Sequence, residues 1–462
     1  MRTFGRWLGR LTMLALVVVV AAYIYLVISP PTLLRVGGGY ASKIICSSDF
    51  LQGRDPERVL KTDVQAPGNP LLRLMVVETD RAKRLVHAAF LRLIGPMEAV
   101  ARPGLGCAVA PDGDAARAAD QAAPPAPGPA ESTAPWPQGS GGAAAQHPKL
   151  AAVLADDALA GPGMRAIVVI EDGRLVAERY ARGFDAKTPL LGWSMTKSVT
   201  AALVGTVVGA GKLRVDQDDL MPQWQGDGRA KITVGDLLSM SSGLHFNEDY
   251  GDVSDVTRML FLEPDMARFV ADQKLDHPPG TVFNYSTGTA VLLSRIWQNA
   301  LGDPKLALDW PRKALFGPVG MGSAVLETDE VGTFVGGSYL YATARDWARF
   351  GQLLLQGGAW NGQQVVPKDF VQMMRTSSVA DPVYTRGMLW LDGPESDMDV
   401  GNDQSEYGLP IGTFWLEGHD GQTVTVIPSA GMVVVRMGLT PGREHYRPQR
   451  LVAALLKAAG RP

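Results

Sequence analysis

The sequence predicts an α+β protein: an antiparallel sheet flanked by helices, preceded by an N-terminal transmembrane helix. Three observations carry this expectation. A long uncharged apolar run follows an arginine-bearing start. One strand pair follows a proline-rich stretch, and three more short strands come near the end. Helical patterns fill the interval, and a last helix closes the chain. Strands and helices therefore come in blocks, which favours an antiparallel sheet with helices packed on it.

The chain has 462 residues, 46% hydrophobic and 20% charged, enough for a large core and more than one domain. The formal net charge is −3, and no basic stripe with interleaved aromatics is present. A nucleic-acid partner is not expected. Arg2, Arg6 and Arg10 precede an uncharged run from Leu11 to Ile28. As a helix this run, residues 11–28, spans about 27 Å, close to the thickness of a bilayer core. A cleaved signal peptide is the competitor. Its apolar region is usually shorter and ends in small residues, unlike Tyr23, Ile24 and Tyr25. An uncleaved anchor over residues 1–30 is the expectation, single-pass in a bacterial-type inner membrane. The arginines put the N-terminus in the cytoplasm and the remaining chain in the periplasm or cell exterior.

Residues 31–110 suggest mixed short elements and no assignable fold. They hold Cys46, and Cys107 as well, the two cysteines of the chain. Outside the cytoplasm a disulfide between them is expected over two unrelated thiols. No cysteine or histidine spacing suits a metal, and no cofactor is expected. Residues 111–147 are Ala-, Pro- and Gly-rich and read as a linker. Residues 148–462 read as the main domain. "AIVVIEDGRLVAERYARG" is two strands around a turn at Glu171–Gly173. "TARDWARFGQLLLQGG" is an amphipathic helix that opens on Thr343 and Asp346 and stops at Gly357–Gly358. "FWLEGHDGQTVTVIPSAGMVVVRMG" is three strands, and "QRLVAALLKAA" is the closing helix.

The chemistry starts at "GWSMTKSVTAALVG", Gly192 to Gly205. From Met195 it reads as a helix that is apolar almost all round, with Lys197 as its only charge. Such a helix is normally buried, and a buried ammonium needs a reason. Ser194 lies one turn before it. A lysine in a dry site loses solvation, its pKa falls, and its amine can take the proton of a serine three residues away. A helix N-terminus also favours the negative charge that develops there.

These residues resemble the S-x-x-K helix of the serine β-lactamase and penicillin-binding-protein superfamily. Four more segments are similar to that superfamily in the same order: "ITVGDLLSMSSGL", "PPGTVFNYSTG", "GSYLYATARDWARFGQLLLQGG" and "GHDGQ". The likeness is to its class C-like branch, with its esterases and 6-aminohexanoate-dimer hydrolases. It implies the α+β fold above with an added helical subdomain. It also implies a nucleophile at Ser194, its base partner Lys197, and a proton-shuttling Tyr285. The backbone N–H groups of Ser194 and Gln422 would make the oxyanion hole. His419 and Gly421 of the third motif, with Trp193 and Tyr250, would contact substrate. Tyr250 lies in the acidic, aromatic stretch "HFNEDYGDVSD".

Two departures stand out. The second motif, often Tyr-x-Asn, is Tyr285-Ser286-Thr287, which removes an amide that would bind a substrate carbonyl or orient the lysine. The third, often Lys-Thr-Gly, is His419-Asp420-Gly421. The expected function is hydrolysis of an amide or ester of a small or oligomeric substrate. A β-lactamase or D,D-peptidase is the rival within the fold. An inactive ligand-binding member is the rival outside enzymology.

Overall fold

The computed structural model describes residues 2–125, 127–128, 133–139, 141, 147–394 and 401–461. Part of the 111–147 stretch therefore lies outside the described residues. The chain divides into two compact units: Met1–Ala101, Cys107–Ala119 and Asp249–Pro264 form one, and Arg102–Gly106, Asp120–Glu248 and Asp265–Pro462 the other.

The first unit opens with the helix Arg2–Ile28. Its stretch Gly9–Ile28 has a mean hydropathy of 2.7 and no buried residue, so it is long and apolar enough to cross a membrane. A second helix, Thr32–Phe50, packs on a four-stranded antiparallel sheet. The strands, in spatial and chain order, are Met75–Asp80, Leu85–Phe90, Ile94–Arg102 and Gly106–Ala110. Residues 31–110 thus hold a helix-on-sheet layer. It was hard to read because its first strand, "MVVETD", keeps only Met75 fully buried. The same helix packs on the helix Asp255–Leu262. Gly39 makes this approach possible: a Cβ there would lie 2.8 Å from the Phe261 side chain. Asp249–Pro264, expected within the 148–462 domain, therefore belongs to the first unit. A disulfide joins Cys46 on the helix to Cys107 on the last strand.

The second unit is built on a five-stranded sheet in the order Phe414–Gly418, Gln422–Ile427, Met432–Gly438, Met164–Glu171, Arg174–Tyr180. Every neighbour is antiparallel. The hairpin at the start of the domain closes on strands from its end, with Val433 opposite Ile170 and Val434 opposite Val169. The hairpin turns at Asp172 and Gly173, both with positive φ, the geometry that suits a two-residue turn. Both faces are covered, which explains the unbroken apolar runs in the central strands. On one face Ile167, Val169, Met432 and Val434 join Leu150, Leu154, Leu451 and Leu455 in one core cluster. The last four come from the helices Pro148–Ala155 and Pro448–Ala459. On the other face lies the helix Ala344–Leu355, capped by the Thr343 hydroxyl, which accepts from Asp346 N–H. A Cβ on Gly351 would come within 2.6 Å of Val433, so this helix sits close on the sheet.

The polar side of that helix differs from expectation, because it is buried too. Arg349 donates to the carbonyls of Pro137 and Gly139, and Trp136 Nε1 donates to the Arg345 carbonyl. Trp136, within the stretch expected to be a linker, is thus buried, at 3% exposed. A single indole supplies the apolar surface that its Ala-, Pro- and Gly-rich surroundings lack.

Candidate active site

Ser194 stands where the chain turns from the short strand Leu190–Leu191 into the helix Met195–Gly209. The turn is tight. Trp193 has a left-handed backbone (φ 47°), and the Met195 and Thr196 N–H groups bond back to the carbonyls of Gly192 and Trp193. Ser194 is partly exposed, while every residue from Met195 to Val207 is buried. Lys197 lies one turn below the serine and is 1% exposed.

The Lys197 ammonium finds three acceptors. Nζ donates to Ser194 Oγ, Thr287 Oγ1 and the Gly337 carbonyl, each at 2.9 Å. It also stands 4.6 Å from the centre of the Tyr285 ring. Burial lowers the Lys197 pKa from 10.5 to about 8, against an upward pull from the Glu248 carboxylate. Glu248 in turn holds Thr287. One carboxylate oxygen accepts the Thr287 N–H at 2.8 Å, and the other accepts the Thr287 hydroxyl. The Gly337 carbonyl reaches the lysine because glycine lets the backbone close in: a Cβ there would meet Thr287 at 2.7 Å.

Tyr285 follows the turn at Pro278–Gly280 and directly precedes Ser286, the N-cap of the helix Thr287–Leu301. Burial pushes its phenol well above the ordinary tyrosine value, and the charge of Glu248 adds to the rise. A hydrogen bond with Ser194 pulls it back, and Glu417 pushes it up again. The ring sits among Tyr384 and Trp390, at centroid distances of 5.9 and 5.7 Å. Of these aromatic residues, Tyr285 reaches the serine.

The edge strand Phe414–Gly418 meets the Ser194 turn. A Cβ on Gly418 would lie 2.2 Å from the Gly192 carbonyl. The loop that follows carries His419, whose half-exposed ring packs edge-on against Trp193 at 5.6 Å. The Asp420 carboxylate is 3.5 Å from His419 Nε2. The Gln422 side chain fixes the loop by donating to the carbonyls of His419, Asp420 and Gly438. The carbonyl of Gly421 is taken by Arg436.

Residues 152–459 match the family model described as Beta-lactamase. The chain belongs to the beta-lactamase family. Among curated relatives of this family member, the 6-aminohexanoate-dimer hydrolase of Paenarthrobacter ureafaciens is 24% identical over 306 residues, 60% of this chain and 72% of the relative. Penicillin-binding protein 4 of Amycolatopsis lactamdurans is 34% identical over 155 residues, 30% of this chain and 36% of the relative. In a further curated relative the match spans 29% of its length. Among solved structures, a putative 6-aminohexanoate-dimer hydrolase from Bacillus anthracis has a TM-score of 0.55 at 23% identity, covering 65% of this chain and 81% of that one. The family fixes the fold.

Of the residues singled out in the sequence, Ser194, Lys197, Tyr285, Trp193 and His419 fall in the second unit with the contacts given above. Tyr250 belongs to the other unit, in Asp249–Pro264. At the position where the resemblance implies an asparagine amide, the Thr287 hydroxyl itself bonds the lysine. Glu248 and Gly337 were missed. Glu248 lies in "HFNEDYGDVSD", two positions before the tyrosine that drew attention, and Gly337 opens a quoted family segment. Among the described residues no group of His, Cys, Asp and Glu is gathered as a metal site.

The lowered Lys197 pKa has a measurable consequence for stability. Between the folded value of about 8 and the unfolded value of 10.5 the unfolded chain holds more protons, so stability rises with pH in that window. Lys197→Met removes this dependence. The melting temperature of the variant minus that of the wild type is therefore expected to fall as pH rises from about 8 to about 10.5. A constant difference across thermal melts in that range would show that the lysine is not desolvated.

Proposed function

We propose that this beta-lactamase-family protein is a membrane-anchored serine hydrolase that cleaves an amide or ester through an acyl-enzyme at Ser194. The observation that carries the reading is the buried Lys197 amine 2.9 Å from Ser194 Oγ, with a pKa brought down to about 8. The neutral amine takes the Ser194 proton as Oγ bonds to the substrate carbonyl carbon. The carbonyl oxygen becomes an oxyanion and is received by the N–H groups of Ser194 and Gln422. Tyr285 passes its proton to the leaving amine or alkoxide and is reprotonated by the Lys197 ammonium, and the bond from the leaving group to the carbonyl carbon breaks. Water then attacks the ester, Ser194 recovers its proton, and the acid is released. His419, Trp193 and the aromatic wall of Tyr384 and Trp390 border the substrate.

A serine-directed fluorophosphonate tests the nucleophile. It is expected to add its mass to the peptide containing Ser194, and Ser194→Ala and Lys197→Ala are each expected to lower turnover by at least ~10²-fold while remaining folded. Full turnover by Ser194→Ala would refute the mechanism.

The third motif supports a substrate other than a β-lactam. His419 replaces the permanent cation that a lysine would offer a carboxylate, and the Asp420 carboxylate stands 3.5 Å from its ring. Charge-assisted bonds are roughly twice as strong as neutral ones, so recognition of an anionic substrate is weakened while Ser194 and Lys197 are untouched. kcat/KM for a short-chain p-nitrophenyl ester is expected to exceed that for a chromogenic cephalosporin. An equal or larger cephalosporin value restores the β-lactamase reading.

The apolar helix at the N-terminus supports the anchor, and Arg2, Arg6 and Arg10 support a cytoplasmic start with the hydrolase in the periplasm or cell exterior. A reporter active only in the periplasm, fused after residue 40, is expected to be active. Activity from a cytoplasm-only reporter at the same point would reverse the topology.

A further inference from the structure

Each hydrogen around Lys197 can be assigned from its partners. The Gly337 carbonyl only accepts. The Thr287 hydroxyl has one hydrogen, and it donates that hydrogen to the Glu248 carboxylate. The second carboxylate oxygen is fixed by the Thr287 N–H, which only donates. Toward the lysine, Thr287 Oγ1 is therefore an acceptor as well. When Lys197 is an ammonium, its three hydrogens go to Gly337, Thr287 and Ser194. When it loses one, the remaining two stay with the two partners that cannot donate. The lone pair is left facing the one partner that can, the Ser194 hydroxyl.

We propose that Glu248 is a positioning residue that sets the direction of this hydrogen-bond chain, so that the neutral Lys197 turns its lone pair to Ser194 and to nothing else. The proposal deepens the reading of Ser194 and Lys197 as nucleophile and base, and rests on it. It also explains how Thr287 replaces an asparagine. A threonine beside an amine is ambiguous, because its hydroxyl can equally donate to the lone pair and occupy it. The carboxylate behind it removes the ambiguity. An electrostatic role alone would differ: the charge of Glu248 raises the Lys197 pKa, which at neutral pH leaves less of the free base.

Glu248→Gln separates the two roles in the full-length chain. The side chain keeps its shape, and its amide oxygen must face the Thr287 N–H. Its NH2 group then donates to Thr287 Oγ1, which turns the hydroxyl hydrogen toward Lys197 and blocks the lone pair. The readout is the rate of Ser194 labelling by a fluorophosphonate across pH, with a thermal melt as the check on folding. The groups bearing on Lys197 in this profile are Glu248 and Tyr285. Glu248→Gln is expected to lower the high-pH plateau by ~10²-fold, the scale of a lost general base. Adding Thr287→Val removes the misdirected hydroxyl, and Glu248→Gln/Thr287→Val is expected to recover at least ~10-fold of that loss. A wild-type plateau in Glu248→Gln, with its rise moved to lower pH, would mean that the carboxylate acts by charge alone and overturns the proposal. So would a double variant no faster than Glu248→Gln. Wild-type protein unlabelled at Ser194 overturns the nucleophile assignment itself, a failure distinct from these two.

Discussion

A lysine side chain without access to water organises this protein. Lys197 is carried into the interior by a helix that is buried from Met195 to Val207, and it is tolerated there because three acceptors surround its nitrogen. Removing any of them would leave a buried charge short of a partner, which costs more than an exposed bond is worth. The partners come from three places in the chain: the turn before the helix, the start of another helix, and a glycine loop. Satisfying one ammonium thus pins three segments together at the point where the chemistry is proposed to occur. The same burial lowers the pKa to about 8, against the pull of these acceptors toward the ammonium.

The sheet supplies the frame for this arrangement. Its two ends come from opposite ends of the domain, with Met164–Glu171 paired to Met432–Gly438. The edge strand Phe414–Gly418 is then laid against the Ser194 turn, close enough that only glycine fits at Gly418. The Gln422 side chain ties the following loop, through the carbonyls of His419 and Asp420, to the Gly438 carbonyl at the end of the strand Met432–Gly438, and His419 packs on Trp193. His419, Asp420 and Gly421 are therefore held by the Gln422 side chain and by ring packing, without a lysine.

Much of the fold was legible because its signals are local. The hairpin at Asp172–Gly173, the cap at Thr343 and the three C-terminal strands all follow from residues within a few positions of each other. The first unit was not legible, because its first strand keeps only Met75 fully buried and its second helix packs in part through Gly39 meeting Phe261, far along the chain. Trp136 shows the limit of composition: the stretch around it has the make-up of a linker, yet its indole bonds to the helix Ala344–Leu355.

The sequence by itself determined the apolar N-terminal helix, the strand and helix blocks, and the pairing of Ser194 with Lys197. That pairing is a matter of helical spacing: residues three apart share a face whatever the rest of the chain does. The tertiary structure decided which groups complete the site. Thr287 lies 90 residues from Lys197 and Gly337 lies 140 away. One contributes a hydroxyl whose direction depends on Glu248, and the other a backbone carbonyl. A carbonyl has no residue type to betray it, and the direction of a hydroxyl hydrogen is set by its neighbours in space, so neither is written in any local pattern.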